Sequence, residues 1–472
     1  MKKESARYKF PMRIPKFAYS LCFLSLVFLN CLKTESGNCD NSDVFTASFF
    51  QGLNSRRGSS FCGYLKSPLP TTPWTRLLGA AGASTQSAGV TADSSGNVYA
   101  AGNTTGSLDG NALIGSQDAF VVKYDTNGNK QWTRTLGVGG SSLSMNGTAS
   151  DSLQNVYILG STSVSLDGQA FSGTTDLFLT KYDTNGNKLW TRLLGPSGSA
   201  ALPMGITTDP LNFVYVTGYT NGNLDGNVLV GLYDLFLTKY DPNGVRLWTR
   251  TLGVSGAHTQ SDAITLDSSN SVYVTGYTTG NLDGNVLAGA QDLIVVKYDS
   301  NGNKQWTRQL GLSAASEVGN GLTTDMFGNI YATGNTNGNL DGQTLTGTFA
   351  FFVVKYDNQG TKQWTRLLGT GGTFTYGLGI TYDSFNDVFI TGYTGGGLDG
   401  NTLTGTQDIY VTKYDSNGVK QSTQQTGASA ASTTASGIAS DYYDNMYKTG
   451  YTSGSLNGQT LVGTSALYII KN

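Results

Sequence analysis

Six tryptophans, Trp74, Trp132, Trp190, Trp248, Trp306 and Trp364, stand 58 residues apart along the chain. Asp93, Asp151, Asp209, Asp267, Asp325, Asp383 and Asp441 keep the same step. The next tryptophan register position is Ser422, yet the unit around it continues. A long period held without insertion or deletion leaves few folds open. Each unit must be one supersecondary element that stacks on its neighbours, because none can bury its apolar face alone.

Within a unit the apolar spacing is that of strands. In the first, Ala88–Asp93, Val98–Gly102, Ala119–Tyr124 and Lys130–Leu136 each read as a short strand. Turn residues separate them, and no helical stripe exceeds two turns. The segment Asp125-Thr126-Asn127-Gly128-Asn129 carries an Asn-Gly pair, a strong hairpin signal that calls for positive φ at the turn's centre. Four antiparallel strands repeated seven times are the parts of an all-β, seven-bladed β-propeller. The ends of the array complete each other. It opens with an orphan fourth strand (about 72–78) and closes with an orphan first-to-third set (about 436–471). The N-terminal strand is therefore expected to join the last blade and close the ring, removing a free sheet edge.

Gly205-Ile206-Thr207-Thr208-Asp209 followed by Val214-Tyr215-Val216-Thr217-Gly218 resembles the bacterial seven-bladed beta-propeller (SBBP) repeat family. The first two strands of each unit also resemble NHL repeats. The resemblance implies the propeller fold and an extracytoplasmic setting. It supplies no activity that can be carried to particular residues.

The part before the array has a different character. Lys2, Lys3, Arg7, Lys9, Arg13 and Lys16 precede an apolar stretch, Phe17–Leu29, that ends at Asn30-Cys31. The stretch is short for a bilayer span and has the flanks of a signal peptide. Phe28-Leu29-Asn30-Cys31 resembles the looser lipobox of spirochaete-type lipoproteins, with Asn30 where the usual bacterial box has Ala or Gly. This reading makes residues 1–30 a lipoprotein signal peptide, Cys31 the lipidated residue, 31–71 a flexible tether and 72–472 the propeller. All four cysteines lie before the array, so Cys39 and Cys62 remain as a possible disulfide pair in an oxidising compartment.

Charge narrows the partners. With a net charge of −2 and no basic stripe, nothing points to nucleic acid. The loops between first and second strands, and between third and fourth, are short and uniform. The other two loop types are long and share the opposite face, where a binding surface is expected. Among the loops joining one unit to the next, His258, Glu317, Phe374 and Tyr376 are the distinctive side chains and form the candidate binding face. Leu108-Asp109-Gly110 recurs as far as Leu398-Asp399-Gly400. Its six aspartates belong to separate blades and read as turn formers, so no metal is expected.

His258 is the only histidine and Glu317 the only glutamate within the array, so catalysis has little to work with. The expectation is a monomeric, non-catalytic lipoprotein without cofactor, anchored to the outer membrane of a bacterial envelope. It would present the long-loop face to a protein or glycan. Two alternatives stand beside it: a carbohydrate-active hydrolase or lyase using paired aspartates on that face, and a purely structural envelope component.

Overall fold

The computed structural model describes residues 72–472, which form seven four-stranded antiparallel sheets. Blade 1 comprises Thr85–Ala92, Val98–Thr104, Asp118–Tyr124 and Lys130–Leu136, from the inner to the outer strand. Blades 2 to 6 follow at 144–194, 201–252, 259–310, 317–368 and 375–426. Blade 7 takes three strands from the C-terminus, Thr433–Ser440, Met446–Thr452 and Ala466–Lys471, and its fourth from Trp74–Leu78. The closing register runs from Trp74 opposite Lys471 to Leu78 opposite Leu467. Seven blades, four strands per blade and closure by the N-terminal strand are therefore present.

The inner strand differs from its expected form. It begins at Thr85, three residues earlier than the pattern suggests, because a β-bulge lets Thr85–Ser87 pair with Thr104–Gly102 before the register shifts. The same shift recurs in every blade and leaves one extra residue each time: Ala88, Asn146, Met204, Asp262, Asn320, Leu378 and Ser436. The Asn-Gly turn also differs. Only Gly128 has positive φ (+76°), and Asn127 does not. The Gly128 N–H donates to the Asp125 carbonyl, and the pairing slips beside Tyr124. This is a turn followed by a glycine bulge, the arrangement expected of a slightly longer hairpin loop.

The core lies between blades. Tyr99, Ala101 and Val121 of blade 1 pack against Val156, Ile158 and Phe178 of blade 2, all fully buried. Each such side chain contributes roughly 1.5–3 kcal/mol on leaving water. The Asp93 register caps the first hairpin. Asp93 Oδ1 accepts the backbone N–H groups of Ser95 and Asn97, and Oδ2 accepts the Tyr99 hydroxyl at 3.1 Å. A second device joins neighbours at the rim. Trp132 Nε1 donates to the Thr184 carbonyl at 3.0 Å, and Arg134 Nε to that of Gly186 at 2.8 Å, both in the next blade's third hairpin. The guanidinium lies over the indole at 5.5 Å, within cation–π range.

Candidate functional site at the channel mouth

The long loop between second and third strands is tied to its own blade. It folds outward over the rim of its own blade. Leu108 is fully buried beneath it, Lys130 Nζ reaches Asp109 Oδ1 at 2.5 Å, and the Thr133 hydroxyl donates to Asp109 Oδ2 at 2.5 Å. Asp167, Asp225, Asp283, Asp341 and Asp399 pair in the same way with Lys188, Arg246, Lys304, Lys362 and Lys420. A cation from the same blade thus already pairs with each of the six carboxylates. Shallow grooves beside the first two pairs are lined by these polar side chains and by Trp132 or Trp190.

What surrounds the channel on this face is the start of each inner strand and the residues packed on it. Here the four candidates separate. Glu317 is fully buried and cannot meet a ligand. It begins the blade 5 inner strand, where blades 1, 4, 6 and 7 have Thr85, Thr259, Thr375 and Thr433. Its Oε1 accepts the Thr336 hydroxyl at 2.7 Å and its Oε2 the Leu312 N–H at 3.1 Å. Burial pushes its carboxyl above the usual range, and those two bonds oppose the shift. The side chain replaces a threonine pair within the blade, so Glu317 lies inside the blade and is not exposed beside the other three candidates.

The other three are half-buried and stand in aromatic groups. Phe374 stacks on Tyr376 with centroids 5.3 Å apart, and Tyr376 meets Phe349 and Tyr393 at 5.4 Å each. His258 stacks on Tyr233 at 4.8 Å, and Tyr219 meets Tyr233 edge-on at 5.6 Å. Equivalent positions in other blades are mostly serine, threonine, glutamine or asparagine: Ser84 and Ser142 correspond to His258 and Phe374, and Gln117 and Thr175 to Tyr233 and Phe349. Two patches of ring surface therefore stand on an otherwise polar mouth, one on blades 3 and 4 and one on blades 5 and 6.

Deeper in, the bulge residues form a belt whose side chains reach from blade to blade. Asn146 Nδ2 lies 3.9 Å from Met204 Sδ, Asn320 Nδ2 donates to the Gly377 carbonyl at 2.8 Å, and the Ser436 hydroxyl donates to the Ser87 carbonyl at 2.8 Å. Asp262 is the one carboxylate in this belt. Its Oδ1 accepts Gln260 Nε2 at 2.8 Å, while Oδ2 is sealed from solvent without a protein partner. Burial pushes its carboxyl up to about 7 despite the Gln260 bond. The Tyr219 and Tyr277 hydroxyls are shifted upward, by burial first and then by Asp262. Sequence reasoning missed Asp262, Tyr219, Tyr233 and Tyr277; superposing the units at their 58-residue step isolates Asp262 and Tyr233, whereas Tyr219 and Tyr277 share one register with Tyr393 and Tyr451. Cys31, Cys39 and Cys62 lie outside the described residues.

The repeat family that matches the chain agrees with this architecture. Five stretches, 74–109, 189–225, 247–283, 305–341 and 363–399, match the SBBP family, described as a beta-propeller repeat. These five stretches are similar to that repeat. The chain is 28% identical over 372 residues to the regulatory protein FlaEY of Caulobacter vibrioides, covering 68% of this chain and 38% of that protein. It is 24% identical over 368 residues to an uncharacterized WD repeat-containing protein, L264, of Acanthamoeba polyphaga mimivirus, covering 59% and 26%. The chain thus spans well under half the length of either relative. Among solved structures, a virginiamycin B lyase from Staphylococcus aureus is similar at 10% identity and a TM-score of 0.48, over 85% of this chain and 100% of that one. A gluconolactonase from Xanthomonas campestris is similar at 12% identity and a TM-score of 0.35, over 71% and 90%.

Proposed function

We propose that this propeller is a non-catalytic binding scaffold, held on a bacterial cell envelope by a lipid on Cys31, that takes a protein or glycan at its channel mouth. The observation that carries the reading is the placement of Phe349, Phe374 and Tyr376, with Tyr233 and His258, at registers that are mostly small or polar elsewhere. Such rings add nothing to the core between blades, which is complete without them in blades 1 and 2. Aromatic groups on a rigid rim offer contact area at low entropic cost, and they stack on sugar faces as readily as on apolar side chains. A hydrolase or lyase would instead need two carboxylates facing one space. The belt offers Asp262 alone, and Glu317, which begins the blade 5 inner strand, is buried against Thr336.

The test is a screen of the purified chain against bacterial surface glycans and envelope proteins, followed by calorimetric titration of any hit. A Phe374→Ala/Tyr376→Ala variant should bind at least about tenfold more weakly with an unchanged melting temperature. Equal affinity in that variant would move the site elsewhere, and turnover of the ligand would return the reading to catalysis. For the anchor, intact mass and detergent partitioning of the native protein beside Cys31→Ser decide the matter. A lipid-sized increment present only in the native form is the expected result.

A further inference from the structure

The opposite face carries a feature that the binding reading does not use. Each first hairpin turn has one residue at its tip, and the seven are Ser95, Leu153, Leu211, Ser269, Phe327, Phe385 and Tyr443. Four of them are large, apolar and strongly exposed: Leu153 and Leu211 at 67%, Phe327 at 69% and Phe385 at 78%. Tyr443 is half-buried against Tyr442, with centroids at 5.3 Å. Isolated exposed leucines need no explanation, but the same turn position filled in five of seven blades makes a broken circle of apolar tips.

These tips are built to leave water. In the Leu211 turn, Asp209 Oδ1 accepts the N–H groups of Leu211 and Phe213, and the Asp209 carbonyl accepts that of Asn212. The Phe327 turn is closed likewise on Asp325, and the Phe385 turn on Asp383. The N–H groups of Leu153, Leu211, Phe327 and Phe385 themselves are thus held inside their turns, and that of Ser384 donates across the seam to Asp444 Oδ1 at 3.0 Å, so the apolar tips can enter an apolar phase with their own backbone donors satisfied.

The chain also enters the propeller at this face. Trp74 pairs with Lys471 at the turn end of the closing strand, and Trp74 Nε1 and Lys471 Nζ both donate to the Thr126 carbonyl in blade 1's third hairpin. The residues preceding Trp74, which include Cys31 and the apolar stretch Phe17–Leu29, therefore join the disc on the side that bears the tips. A fixed protein partner would favour one contiguous pocket or ridge. Separate wedges spaced around a ring by polar turns suit a fluid surface, into which each inserts independently.

We propose that the face formed by the first hairpin turns docks on the lipid surface, with Leu153, Leu211, Phe327 and Phe385 inserted at the headgroup boundary. The disc then lies flat and the aromatic mouth points away from the bilayer. This inference rests on the anchoring part of the reading above and is independent of what the mouth binds.

The experiment is amide hydrogen exchange on the full chain, free and bound to phosphatidylcholine/phosphatidylglycerol vesicles. Beside it is run a variant with Leu153→Ser, Leu211→Ser, Phe327→Ser and Phe385→Ser. Serine occupies this register naturally at Ser95 and Ser269, so the variant should fold. Vesicles should slow exchange in turns 151–155, 209–213, 325–329 and 383–387 by about tenfold, with no change at the mouth. The variant should stay on vesicles through its anchor and lose that protection. Unprotected tips in vesicle-bound protein, or protection that survives in the variant, would overturn docking. So would protection that appears without vesicles as protein concentration rises, since the face would then bind a second copy. A chain that ignores vesicles altogether overturns both docking and anchor, while ligand affinity at the mouth, measured in solution, would stand untouched.

Discussion

Arg76 Nε donates to the Gly128 carbonyl at 2.7 Å, across the seam between the closing strand of blade 7 and the third hairpin of blade 1. Arg134, Arg192, Arg250, Arg308 and Arg366 do the same to Gly186, Gly244, Gly302, Gly360 and Gly418. The seventh position is Gln424, and the tryptophan beside it is Ser422. The structure explains both losses. Blade 6 faces blade 7, whose third and fourth strands, Ala466–Lys471 and Trp74–Leu78, are not consecutive in sequence and so are joined by no hairpin. Among the described residues no hairpin carbonyls stand where the clamp would grip, and Gln424 Oε1 instead accepts Asn472 Nδ2 at 3.4 Å.

Removing the clamp where it has partners should therefore cost stability, and restoring it where it has none should not help. Arg192→Ala loses bonds to the Gly244 and Asn243 carbonyls, both at 2.9 Å. A loss of about 1–3 kcal/mol is expected. Gln424→Arg should stay within about 0.5 kcal/mol of the native protein. Denaturant midpoints of the two variants, measured together, check the pair. A gain from Gln424→Arg comparable to the loss from Arg192→Ala would refute this account of the seam.

The clamp also shows which parts of the fold are legible in the sequence. Blade number, strand order and closure are readable because the Asp93 register has its turn partners in all seven blades and the tryptophan register is filled in six of the seven. The inner-strand bulge is not, since its residue is Ala88 in one blade, Met204 in another and Asp262 in a third. No identity is enforced where the side chain faces the channel. The same freedom hid half of the site. His258, Phe374 and Tyr376 stand out as unusual types, but Tyr219 and Tyr277 look like ordinary strand tyrosines until the register places them at the mouth. Glu317 misleads in the opposite sense, because a rare residue type was read as a surface one.

Glu317 accordingly offers a clean contrast. Its neighbours in register, such as Thr259, pair their hydroxyl with a second-strand threonine, here Thr278 at 3.1 Å. Glu317→Thr should recreate that pair with Thr336 and leave ligand affinity unchanged. Because burial raises the Glu317 pKa, the folded state holds its proton to higher pH than the unfolded chain. Wild-type stability therefore drops as pH climbs past the ordinary glutamate range, and the threonine variant should lack this drop. Melting curves at pH 4 and pH 8 with a binding titration test both halves; a large loss of affinity would put Glu317 back at the site.

Lys448 marks the blade 6–7 seam from inside. It is 4% exposed, at a register filled by Ala100, Ile158, Val216, Val274, Ala332 and Ile390 elsewhere. Burial pushes its pKa down to about 8. Below pH 8 the folded protein must carry a buried ammonium, and that cost fades as pH rises from about 8 towards the usual lysine range near 10.4. Lys448→Met should thus stabilise by about 2–3 kcal/mol at pH 7, with the gain shrinking to nothing above pH 10. A gain independent of pH would assign the effect to packing, and a loss would mean that the ammonium has a partner in solution.

Asp262 gives the opposite pH signature at the centre of the channel. Its carboxyl is pushed up to about 7 by burial, against about 3.9 for an unfolded aspartate. Between those values the folded state binds the extra proton, so wild-type stability falls as pH rises and levels off above 7. Asp262→Asn keeps the bond with Gln260 available and removes the titration. The variant should match the wild type near pH 4 and exceed it by about 2–4 kcal/mol at pH 8. Chemical denaturation at both values distinguishes the outcomes. A constant offset would mean that Asp262 does not titrate in this range. A loss at pH 8 would mean that its sealed Oδ2 is paired in solution with a cation, turning a strained belt residue into part of the binding site.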